Sequence, residues 1–77
     1  MHELAIAQGI LEAVTEKSHG DRILRIVVEV GELAAVLPDA LRFCFDVAAQ
    51  GTVAEGATLD IQPTGGVVLR VKEMEVS

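Results

Sequence analysis

Met1, His2 and Glu3 open the chain with an amine, an imidazole and a carboxylate only a few bonds apart. With Met1 retained, its amine, the backbone nitrogen of His2 and the imidazole Nδ1 can close fused chelate rings around one ion. The backbone nitrogen of Glu3, or its carboxylate, can supply a fourth donor. Nitrogen-rich donors in one plane suit Ni(II) or Cu(II), whereas Zn(II) tends to be tetrahedral and Mg(II) prefers oxygen. Binding through a backbone nitrogen needs that amide deprotonated, which a bound cation promotes. His2 is also bulky, and a bulky second residue disfavours removal of Met1 by aminopeptidase. The plain alternative is that Met-His is an ordinary chain start, since three residues alone do not specify a metal.

The element that would hold these atoms begins at once. Leu4, Ala7, Ile10, Leu11 and Val14 recur at steps of three and four, which predicts a helix from Leu4 to about Lys17. Glu3 then falls in the first turn, where the helix dipole favours an acid and disfavours a cation. A metal there needs the negative charge of Glu3 and of a deprotonated amide to offset the dipole. Ser18-His19-Gly20-Asp21 ends the helix, with Gly20 suited to a left-handed position. His19 lies roughly 25 Å from His2 along such a helix and reads as a solvated C-terminal histidine, not a second ligand.

Arg22 to Val30 alternates as a strand, with Leu24, Ile26, Val28 and Val30 on one face and Ile23, Arg25, Val27 and Glu29 on the other. The second face is half apolar and is expected to be partly covered. Gly31 breaks the strand, Glu32 to Leu37 is an irregular connection, and Pro38 suits the first turn of a second helix. Leu41, Cys44, Phe45 and Ala48 form that helix's buried stripe, Phe43 and Val47 widen it, and Gly51 stops it. Cys44 reads as a small buried hydrophobe. Ala57 to Gln62 is a second strand and Pro63-Thr64-Gly65-Gly66 a tight turn. Val67 to Val76 is a third strand, with Val67, Leu69 and Val71 inward. Its apolar positions then shift by one to Met74 and Val76, which points to a bulge at Lys72-Glu73. The fold class is therefore α+β in the order α-β-α-β-β. Two helices pack on a three-stranded mixed sheet, the last two strands form a hairpin, and residues 1–77 make a single domain.

Composition narrows the function. Twelve acidic against six basic side chains give a net charge of -6, which disfavours nucleic acid and suits a cation or a basic surface. No apolar run reaches the roughly 20 residues of a membrane span and no basic leader opens the chain, so a cytoplasmic location is expected. Cys44 is the one cysteine, which excludes an internal disulfide. No nucleophile has a base near it in sequence and Gly65-Gly66 alone is no phosphate loop, so an enzyme is not expected.

Larger blocks of sequence resemble a known family. Met1-His2-Glu3-Leu4, Ile26-Val27-Val28-Glu29-Val30-Gly31-Glu32-Leu33, Pro38-Asp39-Ala40-Leu41-Arg42-Phe43-Cys44-Phe45-Asp46, Gly51-Thr52-Val53-Ala54-Glu55-Gly56-Ala57 and Leu69-Arg70-Val71-Lys72-Glu73-Met74-Glu75-Val76 are similar, in order, to the nickel-binding domain of the hydrogenase nickel-incorporation (HypA/HybF) metallochaperones. The resemblance implies that His2 is the principal nickel ligand, joined by the Met1 amine and backbone atoms, with Glu3 assisting binding or partner contact. It implies delivery of Ni(II) to an accessory GTPase of the HypB type and on to the large subunit of NiFe hydrogenase. Members of the family carry a zinc module with two CxxC pairs. Here Gln62-Pro63 runs directly into Thr64-Gly65-Gly66 and no CxxC occurs, so the module is missing at about residues 62–66, as a deletion would leave it, and no zinc is expected. The alternative to a nickel carrier is a metal-independent interaction module, including a homodimer, built on the half-covered sheet face and the edge of the last strand.

Overall fold

A computed structural model of the chain describes residues 2–77. The elements run α1 (Glu3–Ser18), β1 (Ile23–Gly31), the short 3-10 turn Glu32–Ala34, α2 (Pro38–Ala49), β2 (Thr58–Thr64) and β3 (Leu69–Val76). Both helices pack on one face of a mixed sheet, whose strands lie in the order β2-β1-β3, with β1 parallel to β2 and antiparallel to β3. The α+β arrangement read from periodicity is the one the chain adopts.

The expected hairpin between the last two strands does not form, because β1 lies between them. Residues 65–68 instead carry the chain over the end of β1 from one sheet edge to the other. Two strand spacings amount to about 10 Å, a distance that four connecting residues can bridge. So short a connection must lie against the end of β1. Gly31 N–H donates to Val68 C=O at 2.6 Å and Leu33 N–H to Gly66 C=O at 2.8 Å. Gly31, expected to break β1, is its last paired residue, opposite Thr64. Likewise Pro63 sits inside β2, at the edge of the sheet where a missing N–H is tolerated.

Two bulges decide which side chains turn inward. On β3 the register slips at Lys72: Val27 and Val28 are adjacent, but their partners are Glu73 and Val71. The shift in apolar positions forecast this bulge. On β1 it slips at Leu24, since Ile23 faces Val76 and Arg25 faces Glu75. Leu24, expected inside, is therefore 44% exposed, while Ile23, assigned to the other face, joins the core. That core gathers Ala7, Ile10 and Val14 of α1, Ile26 and Val28 of β1, and Leu41 and Phe45 of α2. The opposite sheet face carries the ion pairs Arg25–Asp60 and Glu29–Arg70, each 2.6 Å. Val27, between their β1 members in sequence, is nonetheless buried. Exposed pairs of this kind contribute only about 0–1 kcal/mol each.

Both helices bury most of the expected stripe and differ from it at the margins. The buried stripe of α1 is Glu3, Ala7, Ile10, Val14 and Ser18, so Leu4, expected to begin it, is 51% exposed. In α2 the stripe is Leu41, Phe45 and Ala49, with Cys44 and Ala48 half-buried. Phe43 and Val47 lie outside it and are exposed. Val67, expected inward, is exposed on the crossing between β2 and β3.

Candidate metal centre

His2 is the N-cap residue of α1, and its carbonyl accepts the Ile6 N–H at 2.9 Å, so regular helix starts directly behind it. Its side chain makes no capping hydrogen bond and the residue is exposed. The imidazole is thus accessible on an ordered helix start. Met1, the other principal donor expected from sequence, lies outside the described residues. Among the described residues, no group of three His, Cys, Asp or Glu side chains is placed to hold a metal ion.

Glu3, unlike His2, is buried. It is 6% exposed, and one carboxylate oxygen accepts the backbone N–H of Leu37 at 3.1 Å. Leu37 is the N-cap residue of α2, has no side-chain cap of its own, and precedes Pro38 at the start of that helix. The carboxylate therefore sits in the first turn of α1 and at the entrance of α2, where both helix dipoles favour negative charge. This tether left no sequence signature, because its donor is a backbone group 34 residues away. The positive chain terminus, then the N–H groups of Leu37 and of Glu3 itself, hold the Glu3 carboxyl at about 2, below its usual 4.5, against the desolvation that raises it.

A carboxyl whose native pKa lies below its unfolded one stabilises the fold fully above the unfolded value. For Glu3 that contribution is complete above about 4.5 and is lost as pH falls toward about 2. Glu3→Gln should therefore flatten the acid limb of stability across that window. Urea midpoints measured from pH 5 to pH 2 test this, and parallel curves for the two proteins would refute it.

The other candidate residues stay apart from this end of the molecule. His19 is exposed at the far end of α1, in left-handed conformation at φ 52°, followed by Gly20 at φ 88°. Cys44 is a free, half-buried thiol packed against the core.

The sequence profile described as "Hydrogenase/urease nickel incorporation, metallochaperone, hypA" matches residues 1–75. The chain belongs to the HypA family. A HypA hydrogenase maturation factor of Nostoc punctiforme is 51% identical over 67 residues, covering 87% of this chain and 59% of that protein. The chain thus spans well under two thirds of that relative's length. The HypA of Dechloromonas aromatica is 30% identical over 112 residues, covering 99% of both chains. That is more positions than this chain's 77 residues, so an internal stretch of the relative has no counterpart here. The solution structure of the Ni metallochaperone HypA from Helicobacter pylori shares the fold, with a TM-score of 0.75 over 99% of this chain and 97% of that one, at 19% identity. HypA proteins are metallochaperones and maturation factors, and this chain is not an enzyme. No helix among the described residues is long and apolar enough to cross a membrane.

Proposed function

We propose that this HypA domain binds Ni(II) at its chain start, through Met1, His2 and Glu3, and passes it on during hydrogenase maturation. The recipients are an accessory GTPase of the HypB type and, through it, the hydrogenase large subunit. The observation that carries this reading is the exposed His2 imidazole, free of any capping role at the first turn of a helix. The Met1 amine, the His2 backbone nitrogen and the imidazole Nδ1 supply three nitrogens. One Glu3 oxygen holds Leu37, so the Glu3 backbone nitrogen is the fourth donor that leaves that hydrogen bond intact. A planar nitrogen set selects Ni(II) or Cu(II) over Zn(II), and the family description favours nickel. The domain comprises residues 1–77, cytoplasmic and without the zinc module at about 62–66.

Nickel binding at such a set must release protons, because the donors deprotonate. Titrating tag-free protein with Ni(II) should give a planar-type visible band and acidify a weak buffer. A two-residue extension ahead of Met1 moves the amine out of the chelate and should abolish the band. Unchanged affinity in the extended protein would overturn the chelate.

A second reading draws on the exposed apolar side chains Leu33, Leu37, Phe43 and Val47. They suit a metal-independent interaction or dimerisation surface. Association that survives His2→Gln undiminished, with no nickel bound by either protein, would favour it.

A further inference from the structure

We propose that Glu3 is a positioning residue for the nickel site: its carboxylate remains on the Leu37 N–H when the ion binds and fixes the chain start in chelating shape. This rests on the nickel reading above.

Helix phase is the first reason. The buried stripe of α1 takes in Glu3 at 6% exposure and leaves the adjacent Leu4 at 51%. A helix that needed only packing at its first turn would turn the leucine inward, about 100° round from Glu3. An ionised carboxylate is tolerated there only where hydrogen bonds replace its water.

The donor itself is held on both sides. Leu33 N–H is bonded to Gly66 C=O at 2.8 Å, which pins the start of the loop. Leu37 C=O accepts the Leu41 N–H at 2.9 Å, which commits the residue to α2. The Leu37 N–H thus projects from a fixed frame, and the carboxylate it holds belongs to the residue directly after His2.

The anchored Glu3 Cα is bonded directly to the nitrogen of the amide it shares with His2, so a single torsion, φ of Glu3, relates the two. Fixing Glu3 limits the directions open to that amide and to the His2 Cα. Ordering these groups before the ion arrives removes part of the entropy cost of chelation. A carboxylate that moved onto the metal would add a donor but release this frame.

The two roles give opposite results in one variant. Leu37→Pro deletes the N–H and leaves Glu3 untouched. Leu37 has φ -87° and ψ 115°, near the range of proline and already extended ahead of Pro38. If Glu3 positions the site, Leu37→Pro and Glu3→Ala should each weaken Ni(II) binding by about 10-fold or more, the usual scale for losing a partner that orients a ligand. The double variant should be no worse than either, and Glu3→Gln, whose amide oxygen still accepts the Leu37 N–H but whose charge no longer offsets the helix dipole, should lose clearly less than Glu3→Ala. If Glu3 is a ligand through its carboxylate, Glu3→Gln weakens binding as much as Glu3→Ala and Leu37→Pro does not weaken it, which would overturn the proposal.

His2→Gln is measured alongside. Failure of the nickel reading appears as equal affinity in wild type and His2→Gln. Failure of this proposal appears as His2→Gln losing nickel while Leu37→Pro keeps it. Should Leu37→Pro not fold, amide exchange in the unaltered protein decides. Adding Ni(II) should leave the Leu37 amide as protected as before or slower to exchange, and faster exchange at Leu37 would overturn the positioning role.

Discussion

Gly31→Ala should destabilise the domain by about 3 kcal/mol or more, since overpacking costs typically 1–3 kcal/mol and more where backbone must move. A Cβ at Gly31 would collide with the carbonyl oxygen of Gly66, and would lie 2.7 Å from both the Gly66 carbonyl carbon and the Val68 nitrogen. Each is backbone, so no side-chain rotation relieves the contact. The crossing from β2 to β3 would have to lift away, weakening the Gly31–Val68 and Leu33–Gly66 hydrogen bonds. Gly31 itself has φ -69° and ψ 144°, which any residue adopts, so the requirement is for space and not for conformational freedom. At roughly 0.05–0.15 kcal/mol per residue, a chain of this size has on the order of 4–12 kcal/mol to lose. A urea midpoint for Gly31→Ala within error of wild type would show that the crossing does not rest on β1.

His2→Gln should weaken Ni(II) binding by more than about 100-fold, because losing a group that merely orients a ligand already costs about 10–100-fold. The substitution removes an imidazole donor and the chelate ring it closes. Glutamine is preferable to alanine here, since a small second residue would invite removal of Met1 and confound two losses. Stability should change by no more than about 0.5 kcal/mol, because His2 is exposed and makes no side-chain capping bond. Isothermal titration calorimetry with a thermal melt on the same sample separates the effects. A loss of less than about 10-fold, or one that tracks unfolding, would contradict the assignment of His2.

Elements with a strong period were legible in the sequence. Helix α1, the strands, Pro38 at the head of α2 and the bulge at Lys72 followed from spacing alone. The bulge at Leu24 was not legible, because Ile23 and Leu24 are both apolar and alternation cannot tell which of them turns inward. Strand order was hidden for another reason. Pro63-Thr64-Gly65-Gly66 has hairpin chemistry, but the stretch passes over the end of β1, and the glycine that makes room for it stands in a different strand. At the candidate site, the proposed donors Met1 and His2 are picked out by residue type and order alone. The place of Glu3 could not, because its partner is the N–H of Leu37, and a backbone amide leaves no mark in side-chain sequence. The head of α1 is hidden for the same reason: spacing counts Leu4 as inward alongside Ala7, Ile10 and Val14, while the hydrogen bond to Leu37 places Glu3 there.

Crystals of tag-free protein grown with Ni(II), with anomalous data collected at the nickel edge, test the central claim most directly. We expect one strong peak at the chain start, within coordination distance of the Met1 amine, the His2 backbone nitrogen and imidazole, and the Glu3 backbone nitrogen, with the Glu3 carboxylate still on the Leu37 N–H. A reproducible peak elsewhere, with those nitrogens bare, would contradict it.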